Sequence, residues 1–176
     1  LSDIQEIKAR LSISGIKLRS VNAVQEGFYD LIATVPKEFI QESFLVDIGS
    51  GNTKFTWISS SDTVSMETYG SKYYVNEIHD STVFRTVRDI LLDIPVQNRN
   101  LCFLLGGIPY EFAAATNNKE GKYTILDQPG KYNPTTQKGK SGKIIYNAIY
   151  LDPTFSYIFD WEANFSIGYL MNLKSR

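Results

Sequence analysis

The side chains most often used for covalent and metal chemistry are nearly missing from this sequence. It holds one histidine, His79, and one cysteine, Cys102, in 176 residues. A lone histidine without a second histidine or cysteine at ligand spacing excludes the common zinc sites and leaves no Ser-His-Asp set to assemble. His79 therefore reads as a surface residue. Cys102 lies inside the apolar run Leu101–Leu105, where it reads as a small buried hydrophobe, so no disulfide framework is available. An excess of either charge is lacking too. Lys and Arg number 18 against 19 Asp and Glu, for a net charge of −1 and a pI of about 5.9. Such a chain has no global field to draw nucleic acid or an anionic membrane, and any anion it holds must be held locally. No apolar run approaches the length of a bilayer span, and the first residues lack the basic and apolar regions of a signal peptide. A soluble, cytoplasmic protein is the expectation, with neither nucleic acid nor membrane as partner. The absence of an initial methionine, in what reads as mid-helix, predicts a piece cut from a longer or processed chain.

What is present suffices for a core: 43% of residues are apolar and 21% charged. Ile4, Ile7 and Leu11 recur at helical spacing, with Ser2 and Gln5 placed as a capping box. Gly15–Val21 alternates apolar and polar, predicting a strand, and Asn22 is placed to cap a helix through Val24, Phe28, Leu31 and Ile32 that stops before Pro36. Ser43–Ile48 reads as a buried strand and Lys54–Ile58 as its hairpin partner across a glycine turn. Thr63–Tyr69 continues as a third strand ended by Gly70. Val83, Val87, Ile90, Leu91 and Ile94 mark a helix, Leu101–Leu105 another buried strand running into Gly106 and Gly107, and Phe112–Ala115 part of a following helix. From 117 to 143 the composition turns to Gly, Pro, Thr, Asn and Lys, predicting a long surface excursion with one strand near Lys122–Leu126. Apolar runs return at Ile144–Tyr150 and Phe155–Phe159, before a helix expected over Glu162–Leu173. This order predicts an α/β layered domain with a mixed sheet flanked by helices, spanning 1–176 as one unit.

Asp47–Lys54 is the segment with chemical promise. A strand running into Gly49, Ser50 and Gly51 turns tightly, with φ > 0 open to the glycines, and the missing Cβ atoms let backbone N–H groups approach an anion. Asn52 and Thr53 offer further donors, Lys54 a charge, and Asp47 a carboxylate suited to a hydrated Mg²⁺. The same pattern also suits a hairpin with a glycine turn and no ligand. Lys131, Lys138, Lys140 and Lys143 suit either a solvated loop or a track for a polyanion. The 11 tyrosines and 10 phenylalanines fall mostly at core positions. Tyr73 and Tyr74, beside Lys72, are the pair set apart as ligand contacts.

Phe44–Phe55 resembles the second phosphate-binding motif of the actin-like superfamily that includes sugar kinases, Hsp70 and actin. Val24–Tyr29 lies upstream where that superfamily places a helix bearing its water-activating acid, and Glu26 is the counterpart of an acid in the exopolyphosphatase and guanosine pentaphosphatase family. Met66–Tyr74 is similar to that family's strand ending in Leu-Gly. Leu104–Pro109 looks like the glycine pair that begins the superfamily's adenosine-side segment. Asp160–Gly168 resembles the closing helix of segregation and cell-division actins. The resemblance spans roughly residues 14 to 116 and the last fifteen. It implies a ribonuclease H-like, actin-like half-domain binding a nucleotide or polyphosphate with Mg²⁺. Gly49, Ser50, Gly51, Asn52, Thr53 and Lys54 would hold phosphate, Gly106 and Gly107 the nucleoside side, Asp47 the metal, and Glu26 would orient attacking water.

The family pattern differs at several points. Where the exopolyphosphatases carry Gly-Gly-Gly-Ser-Thr-Glu, this chain has Gly-Ser-Gly-Asn-Thr-Lys, replacing an acid by Lys54. Only one Asp-x-Gly loop occurs, whereas the superfamily encloses phosphate between two half-domains. The expectation is a second half-domain whose first half is absent, inactive alone as a phosphohydrolase. Segregation actins begin with a similar Asp-Ile-Gly-Tyr-Gly-Asn-Thr-Lys, which keeps open a first-loop reading. The alternatives in function are a nucleotide-switched actin-like filament or scaffold, with oligomers, and a non-catalytic interaction module of the same fold.

Overall fold

The structure is a computed structural model that describes residues 2–16, 18, 20–95, 99–117, 119–150 and 155–174. Asn22 opens the second helix, α2 (Ala23–Thr34), by a reciprocal cap: its side chain accepts from Gln25 N and the Gln25 side chain accepts from Asn22 N. The first helix is α1 (Ser2–Ile13). Strands β1 (Ser43–Ile48), β2 (Asn52–Ser59) and β3 (Asp62–Tyr69) form an antiparallel meander. There follow α3 (Asp80–Asp93), β4 (Leu101–Leu105), α4 (Gly107–Thr116), β5 (Tyr123–Ile125), α5 (Gln137–Ile149), β6 (Ser156–Asp160) and α6 (Phe165–Lys174).

One six-stranded sheet runs in the order β3-β2-β1-β4-β6-β5, with β1, β4 and β6 mutually parallel and the outer pairings antiparallel. The mixed α/β sheet expected from the sequence is the one observed. Strand periodicity sorts β1 between two cores. Phe44, Val46 and Ile48 join Phe55, Trp57 and residues of α3, α4 and α5 on one face. Leu45 joins Leu31, Val35, Ile58, Phe103 and Leu105 under α2 on the other. Covered on both faces, β1 reads from Phe44 to Ile48 as an apolar run broken at Asp47. Cys102 is buried and free, as its apolar setting requires.

Close backbone approaches fix α2 and α6. A side-chain carbon at Gly168 of α6 would fall 1.7 Å from the Tyr29 carbonyl oxygen, and one at Gly27 would fall 2.4 Å from Thr56 Oγ1. Glycine at both points lets α2 sit against α6 and the meander at once. Tyr29 adds edge contacts to Phe165 and Tyr169.

Three elements differ from the sequence reading. The strand expected over Gly15–Val21 is absent from its described positions. Gly15, at φ +73°, belongs to a turn after α1, while Ile16 and Leu18 stay 51% and 46% exposed; Lys17 and Arg19 lie outside the described residues. Alternation marks a face fit for burial, but a strand also needs a partner, and no described strand pairs here. The excursion expected over 117–143 ends early, because Thr136 caps α5 through Gly139 N, and Gly139, Ser141 and Gly142 are buried. Its glycines are contact points: a side-chain carbon at Gly142 would meet Ile108 at 2.4 Å. Lastly, α6 starts at Phe165 rather than Glu162, since the preceding residues form a turn on Asp160, whose Oδ1 accepts from Glu162 N and Ala163 N.

Candidate functional site

A cleft of about 330 Å³ opens beyond the carboxyl ends of β1, β4 and β6, where open α/β sheets present their ligands. Asp47 comes from the end of β1, Leu105 and Gly106 from the end of β4, Asp160 and Trp161 from the end of β6. Glu26 and Asp30 of α2 and Ala163, Asn164 and Phe165 at the entry to α6 complete one side, Gly107 and Tyr110 of α4 the other.

An acidic cluster with one lysine lies on the α2 side. Asp47 and Lys54 stand directly opposite each other in the β1–β2 ladder and so project from the same face of the sheet. Glu26 and Asp30, four apart on α2, share a helix face. The Lys54 side chain is 2% exposed and its Nζ lies 2.5 Å from Glu26 Oε2, with Glu26 43% exposed. Burial, with Asp47 and Glu26 adding and Lys54 opposing, pushes the Asp30 carboxyl up to about 7. The Asp47 carboxyl is also raised, by burial first, against the pull of Lys54 and with help from Glu26. The cluster thus carries less negative charge near neutrality than three ionised carboxylates would give it.

The opposite wall is built for close approach. Gly106, at φ +103°, stands before the first turn of α4, and a side-chain carbon on it would fall 2.5 Å from Ile48 O and 2.7 Å from Asp47 Oδ1. Only glycine fits both the backbone angle and the space. The amino end of α4 therefore faces the cleft with its positive dipole end. Lys138 Nζ would be 3.4 Å from a side-chain carbon on Gly107, and it lies 3.8 Å from Glu111 Oε1. At the far end Tyr110, 54% exposed, makes edge contacts with Trp161 and Phe159. Trp161 is fixed by its indole N–H donating to Thr124 Oγ1 at 2.7 Å.

The glycine turn is tight in a different way from that expected. Neither Gly49 nor Gly51 has positive φ. Its shape comes from Gly49 N donating to Asn52 O at 3.0 Å and from Gly70, seated so that a side-chain carbon would fall within 2.4 Å of Asn52 N. Ser71 N and Oγ both donate to Gly49 O, and Lys72 N donates to Ser50 O. Gly49 N is thus spent within the turn, while the carbonyls of Gly49, Ser50 and Gly51 accept from the segment that follows β3.

No protein-family model matches the sequence, and no curated protein matches it. Solved structures do. The chain superposes on an exopolyphosphatase-like protein with a TM-score of 0.63 and 12% identity, over 98% of this chain and 73% of the other. It superposes on the PPX-GPPA enzyme of Aquifex aeolicus at 0.64 and 16%, over 97% and 70%. A second structure of that organism's Ppx/GppA family member gives 0.64 and 17%, over 98% and 70%. The fold is that of the Ppx/GppA proteins.

Within this Ppx/GppA fold, Glu26, Asp47, Gly106 and Gly107 line one cleft, although they come from three separate segments. Ser50, Gly51 and Asn52 are not among its lining and stand past the end of β1. Thr53 Oγ1 is buried and donates to Tyr69 O at 2.8 Å, and Lys54 is spent on Glu26. Tyr73 lies away from the cleft, its hydroxyl donating to Asp80 Oδ1, and burial with that bond pushes its phenol up to about 12. His79 is exposed just before α3. Asp160, Asn164 and Gly168 of the closing motif serve as turn acceptor, as cap to Ile167 N and as the seat of Tyr29.

A resident Mg²⁺ does not suit these residues. Among the described residues no three His, Cys, Asp or Glu side chains converge as a metal group, and the carboxylates nearest Asp47 already face the Lys54 ammonium. No helix among the described residues is long and apolar enough to cross a membrane.

Proposed function

We propose that this chain is a phosphate-binding half-domain of the phosphohydrolase type, taking a nucleotide or polyphosphate in the cleft beyond β1, β4 and β6. The observation that carries this reading is the meeting of Glu26, Asp47, Gly106 and Gly107 in that one cleft. Phosphate oxygens would lie toward the amino end of α4, where dipole, close backbone and Lys138 are all favourable. The amides of Ser50, Gly51 and Asn52 would receive the more distant phosphates. Tyr110 and Trp161 would offer an aromatic wall to a base, which supports a nucleotide over bare polyphosphate.

In this reading Glu26 is the acid that would orient water, but one of its oxygens is held against the Lys54 ammonium and is not free for that water. That pair favours binding without turnover, and so a second reading, a non-catalytic module of the same fold. Mg²⁺ has no resident place in either. Isothermal calorimetry with ATP, GTP and polyphosphate tests the proposal, with inorganic phosphate release followed in parallel. Micromolar to millimolar binding of any of the three supports it; phosphate release at rates typical of enzymes sinks the non-catalytic reading, and no heat with all three sinks the site.

A further inference from the structure

We infer that Lys54 is the resident cation of this cleft: its ammonium fills the role of a divalent ion beside Glu26 and Asp47, and the cluster excludes Mg²⁺. β2 lies between β1 and β3, paired with β3 along its length and with β1 over Thr53–Thr56, so its backbone is fixed from both sides at Lys54. Neighbouring Thr53 is tied to Tyr69 O and Phe55 is fully buried in the opposite core. The lysine stem therefore has one course, under α2, and the side chain ends 2% exposed.

A buried ammonium persists only where anions and hydrogen bonds replace water. Glu26 and Asp30 of α2 and Asp47 of β1 supply that setting; Glu67, its neighbour on β3, is exposed. A divalent ion at Asp47 would have to sit within a few ångströms of a fixed positive charge that cannot retreat to solvent, in a setting where screening is weak. It would also compete for Glu26, whose Oε2 already touches Nζ. Lys54 thus does with one covalently attached charge what a bound ion would do with two: it pairs with Glu26 and offsets the charge of Asp47. Because Nζ is sealed from the cleft, it cannot at the same time be a direct phosphate ligand.

This inference stands on the cluster and not on the ligand proposed above, so its test uses the metal alone. Free Mn²⁺, a Mg²⁺ surrogate, is titrated against the whole chain and followed by its electron paramagnetic resonance signal, with thermal unfolding alongside. The wild type is expected to leave the signal unchanged and to melt at the same temperature with and without Mn²⁺. Lys54→Met, which keeps the stem and removes the charge, is expected to take up one Mn²⁺ per chain and to melt higher in its presence. Lys54→Glu should behave likewise and, where it does not fold alone, should fold on adding Mn²⁺. Uptake of one Mn²⁺ by the wild type that Asp47→Asn abolishes would overturn the inference, as would folded Lys54 variants that gain no metal. Should neither variant fold, the wild-type titration decides alone. Calorimetry with ATP in the proposed site is a separate measurement, so its failure would leave this result standing.

Discussion

Lys54 Nζ and Glu26 Oε2 lie 2.5 Å apart, one atom sealed in the sheet and the other at the rim of the cleft. The pair joins the strand after the glycine turn to the helix that precedes it in sequence by a loop and a strand. It also changes what the acid can do, because the oxygen held against the ammonium is no longer open to a water in the cleft.

Asp30 makes the cleft sensitive to pH. Its folded-state carboxyl titrates at about 7 against 3.8 for the free group, so the folded chain binds the extra proton across that interval. The stability due to this group is full below the lower value and is lost as pH rises through the upper one. Asp30→Asn, which mimics the protonated form, should melt progressively higher than the wild type as pH goes from acid to mildly alkaline. A difference that stays constant across that range would show that Asp30 does not titrate as stated.

Gly51 has no atom within 4 Å of where a side-chain carbon would sit and no positive φ. Gly51→Val should therefore leave the unfolding midpoint within about 0.5 kcal/mol of wild type, the usual range for surface changes. Calorimetry should nevertheless show polyphosphate binding weakened by about tenfold or more, some 1.4 kcal/mol. Equal loss of stability and affinity would reduce the turn to a structural hairpin.

Tyr110 separates the two ligand classes. Tyr110→Ala removes a half-exposed ring from the aromatic wall and should weaken ATP or GTP by about 1–3 kcal/mol, the range for base stacking on an aromatic. Polyphosphate affinity should stay within error. A parallel loss for both ligands in calorimetry would place the base elsewhere.

Gly168 tests the seat between α2 and α6. In a solvated helix, Gly→Ala adds up to about 1 kcal/mol of stability. Here the added carbon falls 1.7 Å from the Tyr29 carbonyl oxygen, so overpacking should outweigh that gain and cost about 3 kcal/mol. Denaturant unfolding should show a lower midpoint at an unchanged slope. Any stabilisation would mean that α6 shifts freely.

The order of elements was legible because the signals were local: the Asn22 cap, the alternation of β2, the glycines ending β4. The excursion differs because Gly139 and Gly142 look like loop residues; Gly142 is a contact point for Ile108, distant in sequence, and Gly139 packs on nearby Pro134 within a turn that the composition does not reveal. The strand at Gly15–Val21 failed for a similar reason, since pairing is not written into a pattern. Of the site, Glu26, Asp47, Gly106 and Gly107 were legible from motifs. Asp30 was within reach, four residues after Glu26 on the same helix face. Tyr110 and Trp161 were not, because their meeting depends on β4 and β6 lying side by side. Nor did the sequence tell that Lys54 is sealed, which follows from α2 covering β2.

The parallel run of β1, β4 and β6 also gives the cleft floor a built-in gauge. Adjacent strands lie about 4.8 Å apart, so the ends bearing Asp47, Gly106 and Asp160 are set at two equal steps spanning roughly 10 Å. That pitch is fixed by backbone hydrogen bonds and is indifferent to side chains. Substitution can exchange an acid for a base at any of these stations and rewrite the chemistry, as Lys54 does beside the first, while the distances a ligand must match stay the same.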